Sequence, residues 1–327
     1  MKKSIEQFLS EWKKNELPQK DEFITLLNSV CNILENESIT YRKKNINGKA
    51  GSLLEFPDQA FTIIVPDLHA RSDFLEKLLK QTFNEKTVYE HLQEKTVRII
   101  CLGDGLHSEI RARDRWIDAF EQYKNGIIDS KAMNEEMAEG LSTMTLVMML
   151  KNNFSENFHY LKGNHENILN ESYGGNHSFR KFVFEGDMTF DFMIEKYGLE
   201  VTELYSNFEK LLPLFVIDLR FLTSHAEPLF FLNKKELINA SLNAEFVNAL
   251  TWTQNGFAKT TVVKKMLKKY CKNFNLSWYF AGHRPVAEIY NVNEENHFVQ
   301  FHNPYLMTIV IIEENQYFDF ETGFIRL

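Results

Sequence analysis

The sequence predicts an α/β protein: two mixed β-sheets packed as a sandwich flanked by helices, with an N-terminal helical extension and a helical insertion. Three observations carry this. Short apolar runs rich in β-branched residues, closed by Gly or Pro, recur beyond residue 60, as buried strands require. Longer stretches between the first runs space their apolar residues helically. Polar residues able to bind ions then follow one run after another, where open α/β sheets build their sites.

Taken in order, Ile5, Phe8, Leu9 and Trp12 predict a helix over 3–13. Phe23, Leu26, Leu27, Val30 and Leu34 predict another over 21–36, with Asp21 as its N-cap or first-turn acid. A polar stretch with Gly48 and Gly51 follows, so residues 1–55 are read as the extension and 56–327 as the main body. Strands are expected at 61–65, 97–102, 158–161, 214–219, 221–224, 278–281, 298–301, 307–313 and 317–320. Residues 109–145 carry two helical patterns and form the insertion, either a lid or wall beside the site or packing on the outside of the sandwich.

Composition narrows the class. Hydrophobic residues make up 44% of the 327 and charged residues 25%, enough for a large core, and 28 Phe point to aromatic packing. A net charge of −8 argues against a broad nucleic-acid-binding surface. Lys264, Lys265, Lys268 and Lys269 fit a solvated helix face. Cys31, Cys101 and Cys271 are odd in number, far apart and without a CxxC spacing, which fits a reducing cytoplasm. No apolar leader follows Met1, and no run approaches the roughly 20 residues of a membrane span, so no membrane partner is expected.

The chemistry lies just after the strands. Asp67-Leu68-His69 follows the first, Gly103-Asp104-Gly105 the second and Gly163-Asn164-His165-Glu166 the third; later come Ser224-His225-Ala226 and Gly282-His283-Arg284-Pro285. Singly each is weak, since Gly-Asp is usually a turn and a lone histidine usually structural. Together and in order they are not. Asp, His, Asp, Asn, His and His form an oxygen and nitrogen set without sulfur, suited to Mn, Fe or Zn. Two such ions about 3.5–4 Å apart can clamp a phosphoryl group and activate water.

These motifs resemble the ordered signature of the calcineurin-like metallophosphoesterases. The similarity is nearest to the branch of the serine/threonine protein phosphatases and diadenosine-tetraphosphate hydrolases. It covers about residues 60–320, including Leu212-Pro213-Leu214 and Asn303-Pro304-Tyr305. The resemblance implies a metal-dependent phosphatase holding two divalent or trivalent ions. Asp67 and His69 would hold the first, Asn164, His225 and His283 the second, and Asp104 would bridge them. A metal-activated hydroxide would attack phosphorus while His165 serves as general acid. The substrate would be a phosphorylated small molecule, nucleotide or phosphoprotein. Phosphomonoester hydrolysis is the first expectation, dinucleoside polyphosphate or phosphodiester hydrolysis the second, and a non-catalytic interaction module the third.

The match departs from the branch at two positions. His107 and Ser108 stand where it carries an acid-supporting Asp and a phosphate-gripping Arg. His107 is then expected beside the ligands as a supporting residue first and an added ligand second, with Glu109 or Glu166 as stand-ins for the missing Asp. Pro285 occupies the position of a second histidine found in other relatives; His302 is a spare candidate ligand for the first ion, though it is read first as a strand-end structural histidine. Phosphate requires a cation, for which Arg284 is the first choice and Arg71 the second. Arg111, Arg113 and Arg115 are read as a solvated helix face.

Overall fold

The computed structural model describes residues 3–259 and 261–327. Two mixed sheets stack face to face. One has the order β1(Leu53–Phe56), β7(Phe215–Asp218), β8(Phe221–Ser224), β9(Trp278–Ala281), β11(Phe298–Gln300), β10(Asn291–Asn293). The other runs β13(Phe324–Arg326), β12(Thr308–Ile312), β2(Thr62–Val65), β5(Arg98–Cys101), β6(Phe158–Tyr160). A hairpin of β3(Thr82–Phe83) and β4(Lys86–Thr87) stands apart. The helices are α1(Ile5–Ser10), α2(Lys20–Glu35), α3(Ser72–Lys80), α4(Val88–Glu94), α5(Arg113–Tyr123), α6(Lys131–Asn153), α7(Glu185–Tyr197), α8(Leu199–Leu211), α9(Lys234–Ile238), α10(Ala244–Thr251) and α11(Val262–Tyr270).

The two-residue period of each strand sorts its side chains between layers. Ile64 of β2, Ile100 of β5, Val216 of β7 and Phe280 of β9 point into the sandwich and meet one another. Their neighbours Ile63, Ile99 and Cys101 face outward onto helices α1 to α8. Phe215, Ile217 and Tyr279 face the opposite side, where α11 and residues near α9 and α10 cover them. The order is therefore helix, sheet, sheet, helix. It agrees with the expected sandwich.

The details differ in instructive ways. Gln19 is the N-cap of α2, and Asp21 lies in its first turn. The expected strand at 317–320 is absent: Phe318 and Phe320 instead pack with Phe324 in an aromatic cluster, and the final strand is β13. Strand β1, unannounced by its pattern, straddles the expected boundary at residue 55 and pairs in parallel with β7. Helix α2 buries Phe23, Leu27, Val30 and Leu34 in the core shared with α6 and α8. Trp12 donates its indole N–H to the Ser142 carbonyl at 2.9 Å. Within 109–145, Trp116, Met133, Met137 and Leu141 belong to that core too. Arg111 and Arg115 are not free on a solvated face, because both pair with Glu139 and Arg115 also pairs with Glu136.

Candidate metal centre

Strands β2, β5, β6, β8, β9 and β11 all end at one rim of the sandwich, and each delivers a polar residue there. Asp67, Asp104, Asn164, His225, His283 and His302 lie one to four residues beyond their strands. The loops are tied before any ion is considered. His69 and Ala70 donate backbone N–H groups to the carbonyls of Asp104 and Gly105, at 2.6 and 2.8 Å. The Glu166 carboxylate accepts the N–H groups of Gly163, Asp104 and Gly105 and the Tyr160 hydroxyl. Glu166 thus braces the second loop against the third.

The backbone is strained here. His69, Ala70, Asp104, His107 and His283 all have positive φ, which costs on the order of 1–3 kcal/mol each unless the surroundings enforce it. Glycine is required at Gly282, whose Cβ would fall inside the Asp67 carboxylate, and at Gly163, whose Cβ would strike Asp104 and Glu166.

The six predicted ligands converge. Asp104 Oδ2 lies 3.7 Å from His69 Nε2 and 3.4 Å from His225 Nε2. Asn164 Oδ1 is 2.9 Å from both His225 Nε2 and His283 Nδ1. Asp67 Oδ2 accepts the His283 backbone N–H at 2.9 Å and lies 3.8 Å from His69 Nε2. His69 and His225 donate their Nδ1–H groups to the carbonyls of His107 and Leu102, each at 2.9 Å. That fixes both Nε2 lone pairs toward the centre. Three groups form: Asp67 with His69 and His302, His69 with Asp104 and His165, and Asp104 with His225 and His283.

This set fits cations. Asp67 Oδ1, His283 Nε2 and His302 Nδ1 are buried without a hydrogen-bond partner among the described residues. Burial pushes His69 down to about 4 and His283 well below the usual imidazole value, so both stay neutral. Burial, with Glu166 and Asp67 nearby, pushes the Asp104 carboxyl well up. A crowd of buried lone pairs that resists protonation at nitrogen and ionisation at oxygen is stabilised by a metal ion.

Around the centre, His165 Nε2 is 3.6 Å from Asp104 Oδ2. Its Nδ1 meets His107 Nδ1 at 3.1 Å, and His107 Nε2 in turn meets the Thr189 hydroxyl at 3.0 Å. Phe179 covers the His165 ring, with centroids 3.6 Å apart. Thr189 and Phe179 gave no signal in the sequence, because a mid-helix Thr and a loop Phe are ordinary. Ser108 is taken up by Glu136, which accepts its N–H at 2.8 Å and its hydroxyl.

The two arginines part company. Arg71 is buried, and its guanidinium donates to the carbonyls of Asp67, Leu68, Asn303 and Leu306. Four of its five N–H groups are thus committed to backbone carbonyls, so Arg71 ties loops together and keeps one Nη2–H, on the wall of the groove beside Ala70. Arg284 follows His283 directly, and its Nε is buried without a partner among the described residues. A groove of about 400 Å³ opens beside Ala70, between Lys14, Arg111 and the exposed Tyr305.

Comparison with known proteins agrees with this architecture. No curated protein matches the sequence. Among solved structures, a protein serine/threonine phosphatase from Saccharomyces cerevisiae has a similar fold, with a TM-score of 0.56 at 13% identity, over 95% of this chain and 89% of that one. A cold-active protein-tyrosine phosphatase from a psychrophilic Shewanella species matches less closely, with a TM-score of 0.45 at 12% identity over 81% and 78%. The family model described as calcineurin-like phosphoesterase matches residues 62–287, which hold all six of the converging residues expected as ligands. A phosphoric ester hydrolase of the calcineurin-like phosphoesterase family is therefore what this chain encodes.

Proposed function

We propose that the enzyme hydrolyses a phosphomonoester at a centre of two metal ions, drawn from Mn, Fe or Zn. Asp67 and His69 would hold the first ion, Asn164, His225 and His283 the second, with Asp104 between them. One observation carries this. The Asp104 carboxylate is the shared corner of two ligand groups, and His165 stands at the same corner. Ions bound there would supply an activated water and screen the phosphoryl charge.

The chain's own residues do the rest. Arg284, with its unpartnered Nε, orients the phosphate. His165 keeps Nδ1 against His107 and turns Nε2 toward Asp104, from where it passes a proton to the leaving oxygen as the P–O bond breaks. Glu166 holds the two ligand loops in register. The attacking water's oxygen ends in the released phosphate.

The test is turnover of a chromogenic phosphomonoester after chelation and Mn²⁺ addition. Metal-dependent release that falls about 10²–10⁴-fold in His165→Ala is expected. Absence of metal-dependent release at every pH where the protein is folded would refute the proposal.

One observation favours a second reading, a dinucleoside polyphosphate or phosphodiester hydrolase. His107 meets His165 at Nδ1, and an imidazole has no negative charge with which to support the protonated form of His165, while burial with His69 and His107 nearby holds His165 itself low. Anhydride leaving groups need less proton assistance. Faster turnover of diadenosine tetraphosphate than of a phosphopeptide would select this reading.

The same proposal treats residues 1–55 as a helical extension packed on a catalytic body of 56–327, with 109–145 as an insertion. A cytoplasmic setting is supported by Cys31, Cys101 and Cys271 being free. Among the described residues no helix is long and apolar enough to cross a membrane.

A further inference from the structure

His302 lies outside the segment the family model matches, at a strand end where a structural histidine is the first reading and a spare ligand the second. It is fully buried, yet its Nδ1 has no hydrogen-bond partner among the described residues. An unsatisfied buried polar atom of this kind costs about 1–3 kcal/mol, so it calls for a physical reason.

Three facts supply one. First, His302 Nε2 lies 2.9 Å from Glu109 Oε2. A carboxylate only accepts, so Nε2 carries the proton and Nδ1 carries the lone pair. Lys181 Nζ donates to the other Glu109 oxygen at 2.9 Å, so the carboxylate is held between an ammonium and the imidazole. Glu109 therefore remains a firm acceptor.

Second, that lone pair faces the centre. Nδ1 is 4.0 Å from Asp67 Oδ2, and the donor atoms of Asp67, His69 and His302 lie within 4.8 Å of one another. Ions with bonds of about 2.0–2.2 Å hold their ligands at such separations.

Third, the backbone explains how a residue so distant in sequence arrives. Strand β11 pairs in parallel with β9, and the Val286 N–H donates to the His302 carbonyl at 2.8 Å. The loop after β11 thus runs beside Gly282-His283-Arg284-Pro285. Where that loop carries Pro285, which has no donor atom, the neighbouring strand brings an imidazole instead.

We propose that His302 Nδ1 is a ligand of the ion held by Asp67 and His69, and that Glu109 orients it through Nε2. This rests on the two-ion reading above. The first ion would then have Asp67, His69, Asp104 and His302, matching the four protein ligands of the second.

The test is Co²⁺ binding to metal-depleted full-length protein, followed by equilibrium dialysis and visible absorption, with no turnover involved. The wild type should bind two ions. His302→Ala should keep one at wild-type affinity, lose the other by about 100-fold or more in affinity, and lose its share of the absorption. Glu109→Gln preserves shape and should weaken the same ion about 10–100-fold. It carries the test alone if His302→Ala folds poorly. Two ions bound by His302→Ala with unchanged affinity and spectrum would overturn the proposal while leaving the two-ion reading intact. So would an unchanged Glu109→Gln. A wild type that binds no ion would overturn both.

Discussion

At the scale of single residues, the two arginines nearest the centre show how hydrogen-bond bookkeeping separates a structural cation from a functional one. Arg71 is largely committed: four of its five N–H groups satisfy backbone carbonyls from the loops after β2 and β11. Replacing it strands those carbonyls in a buried place. Arg71→Ala should therefore lower stability by about 3 kcal/mol or more, read as an earlier urea midpoint. Arg284 has the opposite profile, with a half-buried side chain whose Nε has no partner and whose charge burial disfavours. Its removal leaves no protein group unpaired. Arg284→Ala should keep the urea midpoint and lower kcat/KM about 10–100-fold, since a hydrogen bond between charged groups is worth about 1.5–3 kcal/mol. If Arg284→Ala unfolds early while turnover per folded molecule is unchanged, the assignment to phosphate is wrong.

At the scale of elements, the N-terminal helices are bound to the catalytic body by charge as well as by apolar contact. Glu37, just past α2, is buried against Arg42, against Lys151 of α6 and beside His159 of β6. Burial alone would raise its carboxyl; the Lys151 and Arg42 charges outweigh this and hold it well below the usual range. Glu37→Ala would leave two buried cations without their anion. A loss of about 3–5 kcal/mol is expected, seen as a lower thermal midpoint, and an unchanged midpoint would show that the pair is solvated. This tie also shows where the sequence stops being legible. Runs such as Thr62–Val65 or Trp278–Ala281 announce themselves because β-branched and aromatic residues on both faces mark a strand buried on both sides. The ligand motifs were readable because each follows such a run directly. Strand β1 was not, since Leu53–Phe56 is short and exists through its parallel partner β7. Residues 317–320 misled in the other direction, because their aromatic residues serve a side-chain cluster and not a ladder. Arg71 and His302 owe their surroundings to residues more than 190 positions away, which no local pattern encodes.

At the scale of the whole molecule, the buried histidines make stability a function of pH. His159 is fully buried, and its pKa is pushed down to about 4, first by burial and then by Lys151. Its usual value is about 6.5, so between those two values the unfolded chain holds a proton on this residue that the folded chain does not. Stability contributed by the neutral ring is complete above pH about 6.5 and is lost as pH falls toward about 4, by about 1.4 kcal/mol per pH unit. Other groups act in the same window. His107, pushed down to about 3, adds to the loss, whereas Glu209, pushed up to about 8 by burial, binds its proton in the folded chain and offsets part of it. The total slope therefore mixes several groups, but a comparison isolates one. In urea unfolding of metal-depleted protein, wild type and His159→Gln should converge as pH falls from about 6.5 to about 4, the wild type losing about 1.4 kcal/mol more per unit. Their separation should be constant above that window, where both side chains are neutral. Parallel curves throughout would mean that His159 is already charged in the fold, as it would be if Glu37, 3.7 Å from its Nδ1, held a proton-bearing ring.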